Sequence, residues 1–237
     1  SRFDPVTGMS RLEVTRISRA AADQRAGRAG RTAPGRCYRL WSEGAHASLA
    51  AYTPAEITEA DLAPLALELA VWDSADAARL AWLDAPPAPM LAQARELLQR
   101  LGALDASGVI TPPGREMAAL PLHPRLAHML VAARARGAVA LAAELAALIS
   151  ERDLLRRDGA RRDPDVRTRL EILRRESGAA AADPGALQRI RRNAAQFAQL
   201  AGARPDEQRG SAGAVHRQAS EMSEGLLLAL AFPDRIA

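Results

Sequence analysis

The chain has 237 residues, of which 48% are hydrophobic, 25% charged and 3% aromatic, and its formal net charge is +4. This length suits one large domain or two small ones, no apolar run is long enough to span a membrane, and a single cysteine, Cys37, fits a reducing cytoplasm. Every one of the 32 basic residues is arginine, so a phosphate loop of the G-x-x-x-x-G-K-[ST] type is excluded from this chain.

The first fifty residues predict the tail of an α/β domain. Residues 2–17 alternate apolar and polar side chains around a turn at Pro5–Gly8, which predicts a hairpin of two short strands, the second beyond the turn at 12–17. Ser18 is a candidate cap for a helix over Ala20–Arg31, and a strand is predicted over Arg36–Trp41. Because the alternation is already under way at the first residue, we expect the chain to be a fragment.

From residue 55 onward the apolar pattern becomes helical. A helix capped near Thr58 or Asp61 is followed by a proline-rich connector and by an amphipathic helix over Met90–Leu101, which Gly102 ends. Leu104–Thr111 then predicts a small hairpin, and two helices with a hairpin outline a winged-helix module. Further helices are predicted over Pro124–Arg136, Ala138–Ser150, Val166–Arg175, Leu187–Leu200 and Glu221–Leu230.

The most informative segment is an octapeptide that begins at Gln24 and reads Gln-Arg-Ala-Gly-Arg-Ala-Gly-Arg. On the predicted helix, Arg28 and Arg31 are three residues apart and leave the same face, which Gln24 extends. Gly27 and Gly30 carry no side chain, so another surface can approach closely. Forked, permanently charged guanidinium groups suit phosphate, and the pattern therefore predicts a polyphosphate site. The alternative is an exposed arginine-rich helix that only solvates the domain.

The octapeptide matches every fixed position of Q-R-x-G-R-x-G-R, the sixth signature motif of superfamily 2 helicases. Its context resembles the DEAH type of that superfamily. The preceding hairpin, the Pro34–Leu40 segment and the Thr53–Ile57 stretch are similar to segments of that family in the same order. Leu101–Leu104 and Leu120–Ala127 resemble later landmarks, and the closing Leu226–Ala237 resembles the bacterial HrpB group.

This resemblance implies a fold that is mainly α with an α/β remnant. Residues 1–50 would be the C-terminal part of the second RecA-like helicase domain, residues 51–120 a winged-helix domain, and residues 121–237 a ratchet-like helical bundle. Helicases of this type couple ATP hydrolysis to movement on nucleic acid. The implied partners are therefore ATP, nucleic acid (RNA rather than DNA) and an N-terminal RecA-like domain, with no membrane.

The resemblance also implies roles within the octapeptide. Arg28 and Arg31 would be catalytic and would reach the β- and γ-phosphates of ATP across a cleft between two RecA-like domains. Gln24 would lie near the γ-phosphate and the attacking water, while Arg25 and Gly27 would shape the motif and complete the nucleotide-binding set. The phosphate-loop lysine and the Mg²⁺ site would lie in an N-terminal part outside this sequence, so the chain alone is expected to be inactive.

Two further residue groups carry weaker hypotheses. His123 and His128 are five residues apart, which does not fit the spacing of a helical metal pair, and we expect satisfied or exposed histidines and no metal site. Trp41, Trp72 and Trp82 each lie in an apolar neighbourhood and are predicted to be core residues.

A second class of function also fits the composition. A winged helix with a helical bundle can serve as a non-enzymatic module that binds RNA, DNA or a protein partner. Arg156-Arg157 and Arg161-Arg162 could contact a phosphate backbone, although a solvated loop is the favoured interpretation.

Overall fold

In the computed structural model, the described residues are 2–4, 9–11, 14–72, 80–155, 164–174, 182–202 and 222–235. The chain divides into two compact units: Ser1–Leu62 with Ala78–Ala94, and Ala63–Ala77 with Arg95–Ala237. Apart from one two-stranded hairpin, the described elements are helical, so the mainly α fold with a small strand remnant is confirmed. The division into domains at residues 50 and 120 stays a prediction.

The first unit begins with the predicted hairpin. Strand β1 (Arg2–Asp4) pairs antiparallel with β2 (Met9–Arg11), so that Phe3 lies opposite Ser10. The hairpin is confirmed, but its second strand precedes the predicted 12–17, and residues 14–17 have no regular structure. Helix α1 (Arg19–Arg28) and the short helix α2 (Glu43–Ala47) follow.

The predicted strand over Arg36–Trp41 is wrong, because residues 36–39 have no regular structure and a bend covers residues 40–41. A strand needs a neighbour to bond its backbone, and among the described residues only β1 and β2 form a sheet. The alternating pattern leaves its large side chains in solvent, with Tyr38 at 77% and Leu40 at 94% exposure.

The segment predicted to be a winged helix contains α3 (Ala63–Val71), α4 (Ala88–Arg100) and α5 (Pro112–Ala118). Between the last two, an antiparallel bridge joins Leu104 to Ile110, which confirms the small hairpin. Its turn is held by the carboxylate of Asp105, and the hydrogen bond from the Ser107 hydroxyl is the largest cause that lowers the pKa of Asp105.

Helix α5 was not predicted, although its signal is in the sequence. Thr111 caps it by accepting a hydrogen bond from the amide of Gly114, and Pro112 occupies its first turn, where a missing N–H has no cost.

The helical bundle consists of α6 (Pro124–Arg134), α7 (Val139–Ser150), α8 (Val166–Arg174), α9 (Pro184–Leu200), α10 (Glu224–Ala231) and a final 3-10 turn, Pro233–Arg235. Helix α7 is apolar around its circumference and lies at the centre, as such a helix must. Helix α9 packs on α7 with a stripe spaced by three or four residues: Ala186, Leu187, Ile190, Ala194, Phe197 and Ala198.

Two of the tryptophans predicted to be core residues are exposed. Trp72 has 71% and Trp41 has 39% of its surface accessible, although each has apolar neighbours in the sequence. Trp82 is half-buried. The two arginine pairs at 156–157 and 161–162 lie outside the described residues, as does most of the polar stretch at 202–213.

None of the helices in the described ranges combines the length and the apolar character that crossing a bilayer requires.

Candidate functional site

The octapeptide lies mainly on α1, and the local sequence explains where this helix begins. Ser18 is buried, and its hydroxyl accepts a hydrogen bond from the amide of Ala21 at 3.1 Å, which confirms it as the helix cap. The same Oγ lies 3.1 Å from Thr53 Oγ1. The cap therefore also joins α1 to the Thr53–Ile57 stretch that the sequence singled out.

Helix α1 ends sooner than predicted, and this changes the geometry of the site. Its last helical residue is Arg28, with Ala29 as C-cap, so Gln24 and Arg28 share one helical face but Arg31 lies beyond the helix in a bend. The prediction that Arg28 and Arg31 leave a common helical face is wrong. Glycine costs about 1 kcal/mol in a helix relative to alanine, so Gly27 weakens the last turn and Gly30 disfavours its continuation.

The polar side chains of the octapeptide are exposed to solvent. Gln24, Arg25, Arg28 and Arg31 are all exposed. Within the ranges that the structure describes, no hydrogen bond or ion pair engages any of these four side chains. Three guanidinium groups within seven residues thus form a local concentration of positive charge that is not neutralised by those parts of the chain.

The glycines around the octapeptide differ in what requires them. A Cβ added at Gly27 or Gly30 would meet no atom within 4 Å, so the described packing of this chain does not demand glycine there. A Cβ at Gly35 would instead clash with the carbonyl oxygen of Ala29, since the chain folds back against the end of α1. Gly35 therefore sets the course of the segment that carries Arg31.

A polar cluster that the sequence did not reveal adjoins the octapeptide. The Nη2 atom of Arg39 lies 2.5 Å from Oδ1 of Asp23 on α1. Its Nη1 lies 3.2 Å from Nε2 of His46 on α2, and the His46 ring stacks on Trp41 with 6.5 Å between centroids and 17° between planes. The Trp41 indole N–H also points to Nδ1 of His46 at 3.4 Å. A neutral imidazole has only one acceptor nitrogen. The ring of His46 can therefore accept a hydrogen bond from Arg39 or from Trp41, but not from both at once.

The two histidines considered as metal ligands have other partners. His123 accepts a hydrogen bond from the amide of Arg125 and so caps α6, while Nδ1 of His128 lies 2.9 Å from the carbonyl oxygen of Leu230. Across the described ranges, no group of three or more His, Cys, Asp or Glu side chains is arranged to hold a metal ion.

A second polar contact joins two stretches that the sequence marked as family landmarks. Arg125, in the Leu120–Ala127 stretch, binds both carboxylate oxygens of Asp234 near the end of the chain, at 2.5 and 2.8 Å. The guanidinium carbon of Arg125 also lies 5.3 Å from the ring centroid of Phe232. Hydrogen bonding by Arg125 is the largest influence on Asp234 and lowers the pKa of this carboxyl group.

Comparison with known proteins gives this arrangement a family context. Residues 94–122 match the helicase-associated (HA2) winged-helix domain. The chain is 44% identical over 151 residues to the ATP-dependent RNA helicase HrpB of Escherichia coli, an alignment that covers 64% of this chain and 18% of that protein. It is 36% identical over 178 residues to the pre-mRNA-splicing factor ATP-dependent RNA helicase prp22 of Schizosaccharomyces pombe, covering 75% of this chain and 15% of that protein.

The fold agrees with the sequence comparison. The crystal structure of the Escherichia coli DExH-box NTPase HrpB superimposes with a TM-score of 0.70 at 35% identity and covers 99% of this chain and 25% of that one. The chain is therefore a relative of the DEAH-type ATP-dependent RNA helicases and contains their HA2 winged helix. Its similarity lies with the C-terminal part of HrpB, and the likeness to the HrpB group that the sequence indicated is confirmed. The chain spans less than a fifth of the length of these curated relatives.

Proposed function

We propose that this chain forms the C-terminal portion of an enzyme that couples ATP hydrolysis to movement on RNA, and that it supplies the arginine motif of the ATP site. In this proposal Arg28 and Arg31 bind the β- and γ-phosphates, and Gln24 orients the γ-phosphate and the attacking water. Arg25 and Gly27 keep the motif in shape. A guanidinium placed on a transferring phosphoryl group stabilises charge that develops in the transition state.

The observation that carries the proposal is the exposed, unneutralised octapeptide on a capped helix. Other exposed arginines of the chain meet carboxylates, as Arg39 does with Asp23 and Arg100 with Glu96. Gln24, Arg28 and Arg31 have no such partner in the described ranges. A polyphosphate that approaches from another part of the enzyme would provide one.

The remaining parts of the ATP site must come from outside this chain. The sequence contains no lysine, so the phosphate-loop lysine cannot be one of its residues. We place the Mg²⁺ ligands in the same N-terminal part. Mg²⁺ would neutralise charge on the β- and γ-phosphate oxygens when it is bound there, while the arginines of this chain act on the opposite side of the phosphates.

The chain by itself should therefore be catalytically inactive. We expect ATP turnover of the isolated chain to match the buffer, with and without RNA, and the enzyme that contains the chain to hydrolyse ATP faster when RNA is added. Steady-state phosphate release measures both. Turnover by the isolated chain at the rate of the whole enzyme would contradict the proposal. RNA binding without any ATPase activity in the whole protein would favour a non-enzymatic binding module.

Replacing Gly27 with alanine should separate stability from activity. The new Cβ meets open space, and alanine favours a helix over glycine by about 0.5–1 kcal/mol, so the isolated chain should become slightly more stable. In the whole enzyme the same methyl group should lower turnover, because it obstructs the surface that approaches α1. Urea unfolding and ATPase assays measure the two effects.

Gly44→Ala is the matched control for this experiment, since Gly44 is also an exposed helical glycine with open space at its Cβ position. It should stabilise the chain without affecting turnover. Equal activity of the Gly27 variant and the wild type would mean that nothing packs closely against α1 at this point.

A further inference from the structure

Polar contacts contribute to the orientation of helix α1. Of its ten residues only Ala22 is buried within this chain, so the described parts of the chain hold the helix weakly by core packing. A helix with little core packing can change its orientation. The position of Arg28, its last residue, then depends on the polar contacts that the helix makes.

The first of these contacts lies at the beginning of the helix. The amides of Arg19 and Ala20 donate hydrogen bonds to the carbonyl oxygens of Ala50 and Ala51 at 2.8 and 3.1 Å, next to the hydroxyl contact of the cap. These bonds hold the first turn. Arg28 lies nine residues further along, about 14 Å from this anchor at 1.5 Å per residue, so a small rotation at the first turn displaces its guanidinium considerably.

The second contact lies one turn further along α1, where Asp23 meets Arg39. Arg39 is the better held of the two side chains, with 35% exposure against 64% for Asp23. Its Nη1 lies 3.2 Å from Nε2 of His46, whose ring is stacked on Trp41, so a group outside α1 also contacts the guanidinium. Contacts at both the first turn and Asp23 restrict the orientation of α1, whereas contacts at the first turn alone would allow the helix to rotate about that end.

We propose that Arg39 is a positioning residue for the ATP site: through Asp23 it holds α1 at the angle that brings Arg28 to the phosphates. This inference rests on the proposed function above. An exposed ion pair contributes little to folding stability, so the contact matters chiefly for geometry. Displacement of a catalytic group by about 1 Å can cost on the order of a hundredfold in rate.

A double-mutant cycle in the enzyme that contains this chain tests the proposal. We expect Arg39→Ala and Asp23→Ala each to lower kcat by about fivefold with KM within about twofold, since loss of an exposed pair shifts the orientation of α1 modestly and geometry rather than affinity is lost. The double variant should be no slower than either single variant, because all three remove the same attachment. The exchanged pair Asp23→Arg with Arg39→Asp should recover part of kcat.

Direct contact of Arg39 with ATP would give a different pattern. Arg39→Ala would then lower kcat while Asp23→Ala would not, and the exchanged pair would not recover kcat. A normal kcat in Asp23→Ala would overturn the proposal, and so would an exchanged pair without any recovery. Circular dichroism of each variant tests whether α1 and the rest of the chain remain folded. Arg100→Ala is the matched control, because Arg100 forms an exposed ion pair of equal length, 2.5 Å, with Glu96, and it should leave kcat unchanged.

The same assay separates this inference from the function on which it rests. If Arg28→Ala abolishes turnover and the Asp23 and Arg39 variants keep normal kcat, only the positioning role is wrong. If Arg28→Ala itself retains normal turnover, the proposed function is wrong and the role of Arg39 falls with it.

Discussion

Replacing Arg28 with alanine in the enzyme that contains this chain should lower ATP turnover by about a thousandfold or more, with folding and RNA binding retained. The side chain is exposed at the last helical residue of α1 and has no partner within the described ranges, so its removal leaves no buried group unsatisfied. The loss should therefore appear in catalysis and not in the free energy of unfolding. Phosphate-release kinetics and urea unfolding of the same preparation measure the two quantities.

Arg31→Ala should produce a loss of similar kind, and the position of Arg31 adds a distinction. Because Arg31 lies in the bend beyond α1 and not on the helix, its position depends on the close approach of Gly35 to the Ala29 carbonyl. Gly35→Ala should thus reduce turnover through Arg31 while α1 itself stays folded. If Arg31 lay on α1 together with Arg28, as the sequence predicted, Gly35→Ala should leave ATP turnover unchanged.

Arg28→Lys tests whether charge alone is sufficient. Lysine keeps the positive charge but loses the planar fork that binds two phosphate oxygens at once, so most of the rate should still be lost. Full activity of the lysine variant would mean that only a general electrostatic effect operates, and near-normal activity of Arg28→Ala would remove Arg28 from the ATP site. Arg100→Ala, the exposed arginine on α4, is the control that should behave as the wild type.

The sequence was most informative where structure depends on neighbours along the chain. The cap at Ser18 and the bundle helices α6, α7 and α9 follow from local spacing and local hydrogen bonding, and each lies within a few residues of its predicted bounds. The octapeptide was recognisable because its residue types and spacing are specific.

The sequence was least informative where structure depends on distant neighbours. The pattern at Arg36–Trp41 alternates like a strand, yet none of the described strands pairs with it. Nor does an apolar neighbourhood in sequence guarantee burial, as the exposed Trp72 illustrates. The contact of Arg39 with Asp23 joins residues 16 apart, and no local pattern marks such a pair.

Replacing Asp234 with alanine should lower the free energy of unfolding of the bundle by about 3 kcal/mol, at the low end for loss of one partner of a buried ion pair. The expected loss is large because the substitution leaves the guanidinium of Arg125, which is only 6% exposed, without its carboxylate partner. The value is at the low end because Asp234 keeps 23% of its side chain accessible to water. Urea unfolding followed by circular dichroism measures the change.

A comparison with an exposed ion pair separates burial from charge. Glu96→Ala removes the partner of Arg100, where both side chains are more than half exposed, and should cost no more than about 0.5 kcal/mol as an i, i+4 helix pair. Equal effects of the two substitutions would mean that the contact between α6 and the end of the chain is no stronger than a surface pair.

The pH dependence of the same substitution gives an independent test. Hydrogen bonding by Arg125 lowers the pKa of Asp234 below its ordinary value of 3.8, although partial burial opposes this. A carboxyl group with a lowered pKa in the folded state contributes its stability fully above the ordinary value and loses it as the pH falls through the lowered one. Asp234→Asn, which cannot ionise, should thus be less stable than the wild type at neutral pH, and the difference should shrink below pH 3.8. A difference that stays constant down to the acid range would mean that the contribution of Asp234 does not come from its charge.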